Sequence, residues 1–588
     1  MAIQNRINGF SDDPFFAQIL HQAKLWADDW FILDPASSIQ VSYGQLLCDV
    51  ATLGEALTNT LPSEISSALK GPSEQGFYFF LLAPSGYHFL VGFLAILGVG
   101  GAAVPLNPDI DPEEAAYLLN HYNAAGIVFT PQLQAAQAAI LTDTEKKYGT
   151  QPASVQIKID SRNVSDNIHS ILKTDARIVF PSQRPATVMF SSGTTGPPKG
   201  IVHTRNFYYA MADPKTTRTC APRSTSFSYR GMSWTGGFRP IMHCLLGGSR
   251  IEFINDRPVS AATLWERLRE QGITTLTLGA MMFTRMKEYY EETLLSLPTC
   301  ELEEYASAVR ALHLACSVGG SVTKPVQKFW RDMLGNRSLQ VFYATTEAAP
   351  ITYQPFGAND DSNERLIGIP CHGMEVKLSC GDHGEILAKG PYIFSGYYND
   401  EDKTRAAFDD QGYYKTGDLG YWNGKSFVIE GRASTDIIDS SGFRVVGPEL
   451  RDSIISLPYI EDAYVLSIPD AEIRSRVGAL LKVKGDEKQR SSISLHKLRT
   501  DLAVNLATYK LPTVLRILTD DEQLPMTASN RLKIPDALKL YFPQTVNERV
   551  QDLPVQVEVC DFTEGACDRP ARQWEWSGMP TDLVSKKS

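Results

Sequence analysis

The sequence offers no CxxC pair: its nine cysteines are scattered from Cys48 to Cys567 along 588 residues. An odd count at wide spacings excludes a small disulfide scaffold and fits free thiols in a reducing compartment. Positive charge is in deficit, with 56 Lys and Arg against 67 Asp and Glu and a formal net charge of −11. That balance argues against nucleic acid as a partner and leaves room for one local basic pocket. The start, MAIQNRINGFSDDPFF, lacks the apolar stretch of a secretory signal. The longest apolar run, Phe89 to Leu106, carries Gly92, Gly98, Gly100 and Gly101 and includes Pro105 near its end. It is read as a buried helix, a turn and a strand rather than a membrane span. The last residues, Ser585-Lys586-Lys587-Ser588, are not the Ser-Lys-Leu peroxisomal address. Repeats and low-complexity tracts are also missing. The expectation is a cytoplasmic protein with no transmembrane segment.

What is present is an ordinary globular composition, 43% hydrophobic and 21% charged, over a length too great for one compact core. Up to about residue 430, strand-like runs alternate with helix-period segments. Examples are GFYFFLLAP (76–84), GIVFT (126–130), ATVMF (186–190) and SRIEF (249–253), with AATLWERLREQG (261–272) and VQKFWRDMLG (326–335) between or beyond them. Strands spaced by helices predict layered α/β architecture with largely parallel sheets. After Tyr392 the texture turns to Gly, Asp and aromatics, as hairpins and tight turns require. A smaller unit follows, with strands at 463–469 and 477–485 and helices near 448–456 and 495–507. The predicted division is a large domain at 1–432, a small one at 433–545 and a tail at 546–588 without a clear period, with a hinge near 432–436.

The strongest local signal follows the strand ATVMF: Ser191-Ser192-Gly193-Thr194-Thr195-Gly196-Pro197-Pro198-Lys199-Gly200. Glycines let the backbone approach a ligand, and hydroxyls with one ammonium supply donors to polyphosphate oxygens. A Walker A loop is excluded, because spacing from Gly193 puts Pro198 at the second glycine and Gly200 where Ser or Thr must hold Mg²⁺.

This loop resembles the phosphate-binding signature of the adenylate-forming superfamily, which holds acyl-CoA synthetases, peptide-synthetase adenylation domains and luciferases. Other segments match in order. Tyr343-Ala344-Thr345-Thr346-Glu347 resembles the family's Tyr-Gly-x-Thr-Glu, and Tyr414-Lys415-Thr416-Gly417-Asp418 its Tyr-x-Thr-Gly-Asp. Gly431-Arg432 is similar to the Gly-Arg before the hinge, and Gly442-Phe443-Arg444 with Pro448-Glu449 to the start of the small domain. The resemblance implies an α/β fold: a large N-terminal domain of layered sheets with a β-barrel-like part, and a small mobile α+β C-terminal domain. It implies ATP, Mg²⁺ and CoA as cofactors. A carboxylic acid would first form an acyl-adenylate and then pass to the CoA thiol, or to a separate carrier protein or amine. It also leaves a catalytically impaired nucleotide-binding homologue as an alternative.

Each match makes chemical sense alone. Ser191, Ser192, Gly193, Thr194, Thr195, Gly196 and Lys199 would cradle phosphates. The Tyr343 ring can stack on adenine, and Gly319-Gly320-Ser321 resembles the family's Gly-Gly-Ala, which implies that it lines the adenine face. Thr346 can reach a phosphate oxygen, and Glu347 is a hard oxygen ligand suited to Mg²⁺. Asp418 can accept from ribose hydroxyls, and Arg432 can bind ribose or phosphate.

Two segments depart from the family pattern. The late segment that carries the adenylation lysine reads Pro525-Met526-Thr527-Ala528-Ser529-Asn530-Arg531-Leu532-Lys533, with Arg531 in the lysine register and Lys533 two residues on. Arginine keeps the charge but is bulkier and not equivalent. Arg531 does the job, Lys533 does it through a loop shift, or the first half-reaction is slow or lost. After Arg432, the run Ala433-Ser434-Thr435-Asp436-Ile437-Ile438-Asp439 is one residue longer than usual, and its acidic hinge residue is not evident.

The stretch Leu278–Tyr290 resembles that of malonyl-CoA synthetases, where an Arg near Arg285 meets a distal carboxylate. Trp234 stands where many relatives have a His or another aromatic, and Arg239 is a further candidate partner for a carboxylate. These three residues are the expected acid-binding set, set against the plain alternative that Arg285 is a helix-surface cation. Substituting Arg531→Ala and Lys533→Ala separately, and measuring adenylation, tests the register: loss on Arg531→Ala is expected. Full activity there with loss on Lys533→Ala contradicts it.

Overall fold

The computed structural model describes residues 9–26, 29–159, 173–191, 199–217, 223–254, 259–357, 365–440, 443–470, 474–527, 532–542 and 556–560. Two compact units emerge. The first holds residues 1–191, 199–376 and 388–414; the second holds 192–198, 377–387 and 415–588.

The apolar run singled out above forms a helix, Tyr87–Gly98, a turn at Gly100-Gly101, and a strand, Ala102–Pro105. The helix is buried along nearly its whole length, because it lies within a sheet-and-helix layer rather than on a surface. Its first backbone amide, at Tyr87, donates to the buried Asp34 carboxylate at 3.0 Å.

That layer belongs to a seven-stranded sheet of the first unit, in the order Gly396–Tyr397, Lys199–Thr204, Pro185–Ser191, Ala102–Pro105, Tyr78–Leu82, Gly126–Phe129 and Ala153–Gln156. The central pairings are parallel, as the βαβ pattern predicts. Pro185–Ser191 and Lys199–Thr204 instead form an antiparallel pair that places Ser191 opposite Lys199. The strands on either side of the Gly/Ser/Thr segment are therefore antiparallel neighbours. A Walker loop would open a helix instead. Residues 192–198 lie outside the described residues, so Ser192, Gly193, Thr194, Thr195 and Gly196 are located only by these two ends.

A second sheet in the same unit runs, from one side to the other, through Leu366–Pro370, Thr352–Gln354, Gln340–Tyr343, Leu314–Val318, Thr275–Gly279, Thr225–Ser228, Arg250–Phe253, Trp30–Asp34 and Ile39–Ser42. Its middle strands are parallel. Helices cover it with a core in which the Trp265 and Trp330 rings stack at 5.6 Å and Phe283 meets Trp330 edge-on at 5.0 Å. Both indoles are also tethered. Trp265 Nε1 donates to the Met286 carbonyl at 2.8 Å and Trp330 Nε1 to that of Phe283 at 3.0 Å. Apolar burial and two directional bonds thus pin the helix Ala280–Glu292 at the end of its strand.

In the second unit, Tyr414–Trp422 pairs antiparallel with Phe427–Arg432, the hairpin texture expected past Tyr392. The same stretch also contains a short helix, Glu401–Ala406, in the first unit, whose start is capped by Asp400. A four-stranded sheet follows, of Ile460–Asp470, Arg474–Val483, Val514–Ile517 and Val557–Val559. Its last strand comes from the stretch assigned to the tail and pairs with Val514–Ile517.

Trp330→Ala is expected to cost about 3–5 kcal/mol in the first unit's denaturation transition, with a smaller loss for Trp330→Phe. An unchanged midpoint for Trp330→Ala contradicts the anchoring described.

Candidate active site

Parallel strands deliver their loops to one edge, and in open α/β sheets ligands sit at that carboxyl edge. Here Gly279 pairs with Val318, and Val318 pairs with Phe342. The residues that follow, Ala280, Gly319 and Tyr343, therefore stand side by side at this edge, Tyr343 as the last residue of its strand. A methyl group built on Gly320 would lie 3.3 Å from the Ala280 Cβ, so these loops are in close contact. Gly319 has φ +77, a left-handed conformation that glycine adopts without strain. Tyr343 is buried at this edge. Of the expected adenine-lining set, the register of two strands brings Gly319 and Tyr343 side by side, and Gly320 and Ser321 follow Gly319 in the chain.

Beyond Tyr343 the chain turns. The Thr345 hydroxyl accepts from the Ala348 amide at 3.0 Å, closing the turn that presents Thr346 and Glu347. Two side chains from the hairpin sheet hold this turn. His203 Nε2 donates to the Thr346 carbonyl at 2.9 Å, and the Tyr397 hydroxyl donates to Glu347 Oε1 at 3.2 Å. The Lys199 ammonium lies 5.5 Å from the centre of the Tyr397 ring. Lys199 and the pair Thr346 and Glu347, named from two separate segments, therefore share one neighbourhood. Neither His203 nor Tyr397 was named from the sequence. The signal for Tyr397 was its place in a Gly-Tyr pair on the strand beside Lys199–Thr204.

Behind the turn lies a buried basic cluster. Arg239 is buried, with its guanidinium 5.6 Å from the centre of the Phe207 ring and 5.5 Å from that of Tyr392. Its Nε and Nη2 have no hydrogen-bond partner among the described residues, nor does Nδ1 of His203. Burial pulls Arg239 down to about 10. Burial first, and Arg239 second, pull His203 down to about 4, against the Thr346 bond that works the other way. His203 is therefore neutral at pH 7, with its proton on Nε2 where the Thr346 carbonyl accepts it. Cys371 beside Arg239 is pushed up to about 12 by burial, so it is an inert thiol here.

Of the other expected acid-binding residues, Trp234 is half-buried and caps the helix Thr235–Gly247. Arg285 is exposed on Ala280–Glu292, whose buried side chains are Ala280, Phe283 and Met286.

In the second unit, Asp418 and Arg432 face each other across the hairpin. Asp418 is buried and accepts from Arg432 Nε at 2.9 Å. The Thr416 hydroxyl accepts from the Asp418 amide at 3.1 Å, a local bond within the strand Tyr414–Trp422. After Arg432, the Asp436 carboxylate accepts from the Arg432 amide at 2.9 Å while the Asp436 amide donates to the Arg432 carbonyl at 2.8 Å. An acidic residue thus closes the turn where the sequence left that position unassigned. Lys533 is exposed, and its amide donates to the Pro525 carbonyl at 2.8 Å. Arg531 and Gly442 lie outside the described residues.

Among the described residues no cluster of three or more His, Cys, Asp or Glu could cage a metal ion, and no helix is long and apolar enough to cross a membrane. The profile of the AMP-binding enzyme family matches residues 19–398. The chain is 30% identical over 548 residues to an acyl-CoA ligase, oryP, of Aspergillus oryzae, covering 93% of this chain and 95% of that one. It is 27% identical to a malonate–CoA ligase of Arabidopsis thaliana over 77% of this chain and 76% of the plant protein. In fold it is similar to ATP-bound MatB from Rhodopseudomonas palustris, with TM-score 0.69 and 21% identity over 89% of this chain and 99% of that chain. A Bacillus subtilis o-succinylbenzoate CoA synthetase holding its acyl-adenylate gives TM-score 0.68 and 19% identity over 90% and 98%.

The depressed His203 has a stability consequence. Its folded value, about 4, lies below the roughly 6.5 of an unfolded histidine, so on acidification the unfolded chain takes the proton first. Stability is then lost as pH falls from about 6.5 to about 4. His243, pulled down to about 3 by burial and by Arg239, adds to the same slope. The melting temperature is expected to fall through this window and to fall less steeply in His203→Gln. An identical slope in the variant contradicts the assignment.

Proposed function

The chain belongs to the AMP-binding enzyme family, and from that premise we propose that it joins an organic carboxylic acid to AMP and then to CoA. The observation that carries this reading is the shared strand edge at which Gly319, Gly320 and Tyr343 stand beside the Thr346–Glu347 turn.

In the first half-reaction a carboxylate oxygen attacks the α-phosphorus of ATP and pyrophosphate leaves. Such displacement needs positioning and charge neutralisation more than covalent help. The glycines and hydroxyls of 191–196 with Lys199 grip the triphosphate, and Thr346 donates to a phosphate oxygen. Tyr343 and Gly319-Gly320-Ser321 take the adenine, Asp418 the ribose hydroxyls and Arg432 the ribose or a phosphate. Arg531, or Lys533 in its place, brings a cation to the reacting carboxylate. Trp234, Arg239 and Arg285 remain the sequence-derived candidates for the acid side.

Mg²⁺ suits this donor set. Glu347 offers one hard oxygen, oriented by the Tyr397 hydroxyl, and one carboxylate plus phosphates and waters is how this ion is usually held. Glu347 would hold it, and the ion would neutralise charge on the phosphates. In the second half-reaction the CoA thiol attacks the acyl carbon and AMP leaves. The turn at 432–436, closed by Asp436, is the proposed hinge about which the small domain, 433–545 with its tail, moves between the two steps.

Acid-dependent exchange of pyrophosphate into ATP tests the first step, and the mass of the product formed with CoA tests the second. Glu347→Gln is expected to lower exchange by at least 100-fold with little change in melting temperature. Exchange that is independent of added acid, or unaffected by Glu347→Gln, contradicts the proposal.

A further inference from the structure

One cation at this edge was not singled out by the sequence motifs. Arg230 follows the strand Thr225–Ser228, which pairs in parallel beside Thr275–Gly279. Its guanidinium is framed by glycines from three segments. A methyl built on Gly279 would lie 2.7 Å from Nη2, one on Gly236 would lie 3.0 Å from Nη1, and one on Gly319 would lie 3.9 Å from Nη2. The position is held by the preceding residue: the Tyr229 hydroxyl accepts from the Gly279 amide at 2.9 Å. The missing Cβ atoms of Gly279 and Gly236 therefore leave room for one side chain head, with Gly319 in ordinary contact beside it, and that head is a fork of N–H donors.

The guanidinium has no hydrogen-bond or ion-pair partner among the described residues; its nearest aromatic ring, Tyr229, is 6.0 Å away. It is half-buried. Gly279 caps the helix Ala280–Glu292 and Gly236 lies in the first turn of Thr235–Gly247. The positive ends of both helices thus add to the charge of Arg230 instead of offsetting it. Three sources of positive potential meet at this edge, and among the described residues no carboxylate pairs with the guanidinium.

We propose that Arg230 is a specificity-determining residue that pairs with a second anionic group on the acid, so that the preferred substrate is a short acid ending in a carboxylate or sulfonate. This rests on the adenylation reading above, which supplies the first carboxylate's role. A planar fork meeting a carboxylate through two charge-assisted bonds discriminates strongly against an uncharged chain end. The glycine frame limits length as well, because the guanidinium head occupies the space a long alkyl chain would need.

The test is a ratio. Pyrophosphate release is measured with malonate, succinate and glutarate, with the length-matched monoanions propionate, butyrate and valerate, and with sulfoacetate, for wild type, Arg230→Ala and Gly279→Ala. Gly279 has φ −70, so alanine is allowed there by the backbone and acts by displacing the guanidinium while keeping its charge. Wild type is expected to favour the dianions in kcat/KM, and Arg230→Ala to lower the dianion-to-monoanion ratio at least 30-fold, mainly through KM. Gly279→Ala lowers the ratio in the same direction, and it stands as the test if Arg230→Ala does not fold. A wild type that prefers monoanions, or a ratio unmoved in a folded variant, overturns the proposal while leaving adenylation intact. Absence of pyrophosphate release with every acid removes the adenylation reading itself.

Discussion

The register of the central parallel strands governs what this molecule can do. Gly279, Val318 and Phe342 are aligned across three strands, so the chain segments after them emerge together. Slipping any one strand by a single residue would turn its side chains to the opposite face and separate those loops. The stacked pair Trp265 and Trp330 secures that alignment from behind, because their indole N–H groups bond carbonyls of the helix Ala280–Glu292 that follows Gly279. Apolar burial, which is non-directional, is thereby combined with two directional tethers on the element that borders the site.

The seven-stranded sheet contributes a different kind of control. Its hairpin strands carry Lys199 and His203 on one chain segment, and the strand Gly396–Tyr397 lies alongside. From there His203 takes the carbonyl of Thr346 and Tyr397 takes the carboxylate of Glu347. The turn that presents Thr346 and Glu347 is consequently held by the element that also bounds the phosphate loop. Burying a neutral imidazole and a guanidinium behind it is costly in isolation. Phe207 and Tyr392 offset part of that cost by placing ring faces near Arg239.

Much of this was legible in the sequence, where the signal was local. The helix Tyr87–Gly98 and its following strand were readable from glycine and proline punctuation in an apolar run. The motif segments gave the strand-end residues Gly319 and Tyr343, because glycine pairs and aromatic–Thr–Glu runs are compact patterns. What was not legible depends on pairs distant in sequence. Arg230 gains meaning only through Gly236, Gly279 and Gly319, and His203 only through a residue 143 positions away. The strand Val557–Val559 was missed because three residues are too few for a period to register. The pairing of Asp418 with Arg432 follows from hairpin register, which needs the turn between them to be known.

The central claim is that an acid's own oxygen becomes bonded to the α-phosphorus of ATP at this strand edge. It is tested most directly by supplying ATP, Mg²⁺ and CoA with ¹⁸O-carboxyl-labelled acetate, malonate, succinate and palmitate together, then weighing the nucleotide released. The account predicts AMP carrying one ¹⁸O and unlabelled pyrophosphate. Unlabelled AMP, or ADP with labelled phosphate, would contradict it.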